Sequence, residues 1–294
     1  MALFRACEAD DGTTIREVLA ERPMAVLERN TEGANAAHIA CTSNSPSALS
    51  SLLSSPSLDL CARTHPSLET PLHTAVRLRH APCVSLLLSS SSLPDYILLQ
   101  DAQGASPLHA AIASGDAAIV ADLVAALASL SLAPHALAAR TLTGATPLHA
   151  AALQAHLPTL ELLLEAAVDA GEAVAMDLLA ATTLGGATPL AMGVLAASGE
   201  AVKALLAAAR AVSRRLPRRL LKMSMGNSGV NVLHLAAVGA SLSVWRALLK
   251  VKGARSLLDV PSVGTGRITP IDVLNAKRRR SLLKYLSRKP RPNP

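Results

Sequence analysis

The chain has 294 residues, half of them apolar, and a formal net charge of +7. Its only aromatic side chains are Phe4, Tyr96, Trp245 and Tyr285, so the core must be built from Ala, Leu and Val, which suits thin stacked helices and argues against sites that need rows of stacking rings. The four cysteines, Cys7, Cys41, Cys61 and Cys83, contain no CxxC pair, which points to reduced structural thiols rather than a disulfide framework or a dithiol redox motif.

In chain order, Met1 to Asp11 carries Arg5, Glu8, Asp10 and Asp11 without an apolar run, and neither a signal nor a transit peptide is expected there. A tetrapeptide then recurs. It begins as Asn35-Ala36-Ala37-His38 and continues as Thr70-Pro71-Leu72-His73, Ser106-Pro107-Leu108-His109 and Thr146-Pro147-Leu148-His149. Three looser copies follow, Thr188-Pro189-Leu190-Ala191, Asn231-Val232-Leu233-His234 and Thr269-Pro270-Ile271-Asp272. First positions are separated by 35, 36, 40, 42, 43 and 38 residues. Thr or Ser accepts a backbone N–H at a helix start, and Pro fits the first turn, where its missing donor costs nothing. Each copy therefore predicts the start of a short helix. Pro46, Pro82 and Pro158 mark the entry of a second helix in three of the units. The apolar run Ala117 to Ala139 contains Asp122, Pro134 and His135 and begins as such a second helix, so it is not expected to span a membrane.

Further features accompany the tetrapeptide. Small residues follow it at Ala75, Ala110-Ala111, Ala150-Ala151 and Ala236-Ala237, and a leucine-rich patch comes about sixteen residues on. The patches are Leu86 to Leu88, Leu123-Val124, Leu162 to Leu164, Leu205-Leu206 and Leu248-Leu249. Glycine stands two places before the tetrapeptide at Gly33, Gly104, Gly144, Gly186 and Gly229. With a period near the ~33 residues of an ankyrin unit, the chain from about residue 30 to 290 resembles the ankyrin repeat family. The resemblance implies an all-α ankyrin-repeat solenoid of about 7–8 helix-turn-helix units with irregular hairpins or loops, in which length counts repeats rather than globular domains. Residues 1–30 then read as a degenerate N-terminal capping repeat, 31–286 as the array and 287–294 as a basic Pro-rich tail. The extra residues of the long spacings fall in 130–139, 168–180 and 212–225, where the usual turn is hard to find and Val168 to Leu179 suits a helix extension or a short extra helix.

Charge divides the chain sharply. Residues 1–210 hold 10 basic and 19 acidic groups, a net −9, whereas residues 211–294 hold 18 basic and 2 acidic groups, a net +16. The cations cluster at Arg214, Arg215, Arg218, Arg219 and Lys222, at Lys277, Arg278, Arg279 and Arg280, and at Arg288, Lys289 and Arg291. Three readings stay open: a solvated polar cap, a nuclear import signal, or direct contact with nucleic acid or an anionic membrane surface. Only Trp245 and Tyr285 could stack bases in that region, so specific base recognition is not expected.

His38, His73, His109, His149 and His234 occupy the fourth place of the tetrapeptide. The resemblance makes them structural, bonding to the turn and steadying the next unit; one per repeat, they also lie too far apart to share a metal at Zn–N bonds of about 2 Å. His80 and His156 recur at the junction of the two helices. No metal site and no cofactor are expected. The chain has no GxSxG, GxxxxGK[ST] or HExxH motif, and Cys83 sits on a second helix, where burial rather than nucleophilicity is expected.

The resemblance places binding in a groove lined by the first helices and the turns. By position, Thr74, Arg77, Ala110, Ala113, Ala150, Leu153, Met192, Leu195, Leu235 and Val238 should face it, with Arg77, Ala110, Leu153, Met192, Leu195, Leu235 and Val238 as the partner-binding set. Most are small or apolar, which fits an apolar strand or an amphipathic helix; an Ala- and Leu-biased composition yields the same residues with no partner. The expected protein is a monomeric, noncatalytic interaction scaffold or adaptor for protein partners. Its basic C-terminal end would serve targeting or an acidic partner. The alternative is a nuclear or nucleic-acid- or anionic-surface-associated regulatory factor acting through that end. Either would be intracellular, with cytoplasm and nucleus both open.

Overall fold

Every tetrapeptide opens a helix. The computed structural model describes residues 2–263, 267–277 and 280–287, and the chain divides into two compact units, Met1–Leu142 and Thr143–Pro294. Residues 278, 279 and 288–294, with part of the predicted basic set and nearly all of the predicted tail, lie outside the described residues.

The first unit contains α1 (Ala2–Glu8), α2 (Gly12–Glu21), α3 (Ala36–Thr42), α4 (Pro46–Leu53), α5 (Pro71–Arg77), α6 (Ala81–Leu88), α7 (Leu93–Tyr96), α8 (Pro107–Ser114), α9 (Ala117–Ser129) and α10 (Ala133–Ala138). Helices α1, α3, α5 and α8 pack side by side as one layer, and α2, α4, α6 and α9 form the second. The alanines after the tetrapeptide, Ala40, Ala75 and Ala111, are fully buried between adjacent first helices, while Leu49, Leu52, Leu87 and Leu123 fill the second layer. Small residues allow the close approach; leucines then supply most of the buried apolar area.

The second unit repeats this arrangement. It contains α11 (Pro147–Gln154), α12 (Leu157–Asp169), α13 (Glu172–Ala180), α14 (Pro189–Leu195), α15 (Gly199–Val212), α16 (Leu216–Lys222), α17 (Val232–Gly239), α18 (Leu242–Leu249), α19 (Pro270–Ala276) and α20 (Arg280–Ser287). Helix α11 packs on α14, α14 on α17 and α17 on α19, while α12, α15 and α18 form the second layer. A two-stranded antiparallel ladder, β1 (Ser224–Met225) and β2 (Val230–Asn231), precedes α17, with Ser224 opposite Asn231. It is the strand pairing among the described residues of an otherwise helical fold.

A reciprocal cap explains the tetrapeptide. The Thr70 hydroxyl oxygen accepts from the His73 backbone N–H at 3.4 Å, and His73 Nδ1 accepts from the Thr70 backbone N–H at 3.3 Å. Histidine thus takes the place that Glu or Gln holds in the usual capping box. Because Nδ1 accepts, Nε2 carries the proton and donates to the Ala105 carbonyl at 3.1 Å, in the residue just before the next tetrapeptide. The same link runs from His38 to Glu69, from His149 to Ala187 and from His234 to Ile268. One side chain therefore closes its own helix and anchors the following repeat.

The hairpin tips add a second link. The Leu184 N–H donates to the Thr143 carbonyl at 2.9 Å, and within the first unit the Leu142 N–H donates to the Gln103 carbonyl at 2.9 Å. Gly144, at φ +77°, lies so close to the next tip that a Cβ would stand 2.9 Å from Leu184 N. That position needs glycine for both its dihedral angle and its clearance.

The three long spacings are resolved as extra helices. Residues 130–139 contain α10, 168–180 hold the last two residues of α12 and all of α13, and 212–225 carry α16 and β1. Each extra helix packs on the second helix before it. The hairpins after the first two retain the Leu142 and Leu184 tip bonds, so their insertions enter beside the turns and do not replace them. The short helix α7 had no counterpart in the sequence reading; its buried Tyr96 hydroxyl donates to the Leu87 carbonyl at 2.6 Å.

Substituting Thr70→Ala should cost about 1 kcal/mol, as expected for a lost N-cap, and His73→Ala should cost about 1–3 kcal/mol by leaving buried backbone groups at Thr70 and Ala105 unpaired. Urea denaturation of the two variants checks the ranking. Burial pushes the His38, His73 and His234 imidazoles below the ordinary value of 6.5. Below pH 6.5 the unfolded chain therefore binds more protons than the folded one, and stability should be full above that pH and fall as acid approaches the lower folded-state values. Thermal melts from about pH 7.5 to about pH 5 should show a falling Tm.

Candidate functional site

The first-layer helices present a repeated pair of positions. Met192 and Leu235 lie four residues after the start of their tetrapeptides, and Leu153, Leu195 and Val238 lie seven residues after theirs. Positions three or four apart share a helix face. Leu153 on α11, Leu195 on α14 and Val238 on α17 are 51%, 52% and 54% exposed, while Met192 and Leu235 are half-buried beneath them. Because α11, α14 and α17 are consecutive neighbours, the second unit carries one exposed apolar side chain of the same register on each of three adjacent helices.

The equivalent positions of the first unit differ in chemistry. Arg77 on α5 is exposed but held by Glu69 in a two-pronged ion pair, Nε to Oε1 at 3.1 Å and a terminal guanidinium nitrogen to Oε2 at 3.2 Å. Ala110 on α8 is half-buried and Ala113 is exposed. Thr74, expected to face the groove, is buried instead, and its hydroxyl donates to the Thr70 carbonyl at 3.3 Å. A threonine one turn after the cap satisfies its hydroxyl on the helix itself, so it is buried without leaving a donor unpaired.

The basic cluster of the insertion lines a cavity of about 950 Å³. Arg214, Arg215, Arg218, Arg219 and Lys222 contribute from α16 and its approach, as the sequence suggested. Three further cations join them: Arg210 from the last turn of α15, and Lys250 and Lys252 from just beyond α18. Sequence reading missed these three because they are scattered singly. Their signal lay in the repeat register, since Arg210 stands 22 residues after Thr188, and Lys250 and Lys252 stand 19 and 21 residues after Asn231. The packing of α15 on α18 brings those register positions together.

One of the cations is anchored: Arg210 donates from its guanidinium to the Lys250 carbonyl at 3.3 Å. Arg218 passes close to the turn at Gly253, where a Cβ would stand 3.0 Å from Nε and 3.1 Å from Cζ. No acidic side chain lines the cavity. A smaller cavity of about 460 Å³ shares Lys250 and is lined also by Lys203, Arg246, Arg255 and Tyr285. Arg246 sits 6.0 Å over the Tyr285 ring. Trp245, one of the two rings of the basic region that could have stacked bases, is fully buried in the core. Lys277 follows α19 and is exposed, and it is not part of the cavity. Arg280 opens α20, while Arg278 and Arg279 lie outside the described residues.

Other groups are committed to structure. His80 Nδ1 bonds with the Cys41 carbonyl at 2.7 Å, and His156 Nδ1 with the Thr159 hydroxyl at 2.7 Å. Cys7, Cys41 and Cys83 are buried. Burial and, secondarily, Glu8 push the Cys7 thiol up to about 12, and a hydrogen bond with Cys83 together with burial holds Cys41 well above the ordinary thiol value. Neither is a thiolate near neutrality. Among the described residues no group of three or more His, Cys, Asp and Glu could hold a metal ion. No helix among them is long and apolar enough to cross a membrane.

Comparison with known families agrees with the architecture. Residues 58–132 match the family model for ankyrin repeats in three copies, and residues 143–172 match the model for a single ankyrin repeat. The chain folds as an ankyrin-repeat array. Among solved structures this ankyrin array resembles the ankyrin repeat domain of Bcl-3, a member of the IkappaB protein family, at 28% identity and a TM-score of 0.57, covering 69% of this chain and 80% of that one. It also resembles the human ASB11 ankyrin repeat domain, at 22% identity and a TM-score of 0.60 over 85% of this chain and 97% of that one. An ankyrin repeat domain from Acinetobacter baumannii aligns at 21% identity and a TM-score of 0.58 over 70% and 96%. The last two likenesses speak to the fold alone. No curated protein matches the chain. Ankyrin repeats are in general protein–protein interaction modules.

Because Leu153, Leu195 and Val238 are half exposed, changing each to Asp should move stability by no more than about 0.5 kcal/mol. Leu205→Ala, at a fully buried position, should cost about 2–5 kcal/mol. Chemical denaturation of the four variants checks the contrast.

Proposed function

We propose that this ankyrin-repeat protein is a noncatalytic scaffold or adaptor that holds a protein partner on its first-layer helices. The observation that carries the reading is the row Leu153, Leu195 and Val238, exposed at one register on three neighbouring helices. Half-exposed apolar side chains gain by contact with a partner's apolar face, and an amphipathic helix laid across α11, α14 and α17 would meet them in the helix-in-groove mode. The noncatalytic reading rests on the same accounting: His38, His73, His149 and His234 are spent on caps and carbonyls, and two of the buried thiols are held protonated.

The basic end is the second working surface in this reading, serving an acidic partner or targeting. The observation that favours it is the cavity lined by eight cations and no acid. Clefts lined by one sign of charge concentrate the opposite sign. The setting would be intracellular, in the cytoplasm or the nucleus.

Partner capture by the full chain, compared with a Leu153→Asp, Leu195→Asp, Val238→Asp triple variant, tests the first surface. The expected result is loss of the captured protein with an unchanged circular dichroism spectrum and Tm. Undiminished capture by the folded triple variant sinks the reading.

A further inference from the structure

We propose that the cavity between the end of α15, helix α16 and the turn after α18 is a binding site for a compact, multiply phosphorylated ligand. The ligand is a polyol carrying several phosphate monoesters, either free in solution or as the headgroup of a phosphoinositide. The inference rests on the reading of the basic end as a working surface and names what that surface takes; it is independent of the Leu153 row.

Size is the first argument. About 950 Å³ lies within the range of small-molecule sites, roughly 300–1,000 Å³. Charge density is the second. A phosphate monoester carries about −1.5 to −2 near pH 7, so about four or five of them neutralise the eight lining cations in that volume. A carboxylate peptide brings one charge per residue and spreads it along a chain.

Geometry is the third argument. Five of the eight cations are arginines, whose planar fork grips phosphate oxygens through two parallel N–H bonds. Arg210 is held by the Lys250 carbonyl, so part of its ordering cost is met before the ligand arrives, and Arg218 lies close beside the turn at Gly253. Among the described residues none of the cavity's cations has a carboxylate partner within salt-bridge distance. The cavity lining holds no aromatic ring, Trp245 is fully buried, and Tyr285, in the adjoining cavity, sits under Arg246, so the cavity itself offers none of the stacking that single strands use.

Clustered like charge also destabilises the unliganded fold, and a polyanion binding only the folded state must raise Tm. The test uses the full chain and a folded Arg214→Gln, Arg218→Gln, Lys250→Gln variant. Calorimetry and thermal melts are run with inositol hexakisphosphate, with a polyglutamate peptide and with a single-stranded RNA oligonucleotide. Flotation is run with phosphatidylcholine vesicles, with and without phosphatidylinositol 4,5-bisphosphate. The expected result is saturable binding of the hexakisphosphate with a raised Tm, weakened about tenfold or more in the variant and falling steeply with salt. Binding to the phosphoinositide vesicles, competed by the soluble phosphate, assigns the lipid source; hexakisphosphate binding without flotation assigns the soluble one. The proposal is overturned if the variant binds the hexakisphosphate as tightly as the native chain, or if RNA binds more tightly at equal phosphate concentration. Cavity-dependent binding of polyglutamate alone overturns this ligand assignment but leaves the basic end as a working surface. Failure of every probe removes both.

Discussion

The bond from the tetrapeptide histidine to the carbonyl that ends the next hairpin is the constraint on which the rest of the structure depends. The helices it serves are seven or eight residues long, well short of the ~12–15 residues at which an isolated helix holds in water. They persist because each is capped at its start and tied to a neighbour. His73 does both at once, its Nδ1 taking the Thr70 N–H while its Nε2–H reaches Ala105. Only the neutral ring can do this, because protonation of Nδ1 would set a second donor against the Thr70 N–H. The interlock between repeats is therefore sensitive to acid for the same reason that it is specific.

That constraint also decides where the chain can grow. The cap fixes one end of a repeat, and the bonds between hairpin tips, such as Leu184 N–H to the Thr143 carbonyl, fix the other. Added residues find room between the second helix and the hairpin, where solvent accepts them. Helices α10, α13 and α16 emerge there, each lying on the second helix before it. The first two bring mainly Ala and Leu, whereas α16 brings Arg218, Arg219 and Lys222 beside the ends of α15 and α18. A local insertion thereby turns a helical edge into a cationic cavity.

The two candidate surfaces belong to different layers and obey different physics. The Leu153, Leu195 and Val238 row lies on the first-layer helices and would gain from removal of apolar area from water, with little dependence on salt. The cationic cavity lies at the ends of second-layer helices and would gain from charge neutralisation, which salt weakens. One chain can hold two ligands of unlike chemistry in this way, because each layer supplies its own set of exposed positions.

Much of the architecture was legible in the residues. The Thr-Pro-Leu-His copies specify helix starts through capping chemistry that needs no distant partner, and the buried alanines and leucines follow from a repeat register written along the chain. Five cations of the cavity were visible as a run, and Leu153, Leu195 and Val238 followed from their offset after the tetrapeptide. What the sequence could not show is anything that depends on which surfaces meet. Thr74 is buried, its hydroxyl satisfied by its own helix, and Trp245 disappears into the core because α18 packs against α15 and α17. Arg210, Lys250 and Lys252 join the basic run only because second helices forty residues apart in sequence lie side by side. Helix starts, repeat register and charge asymmetry are local properties and belong to the sequence by itself. The cavity is a convergence of separated segments, and only tertiary packing could decide it.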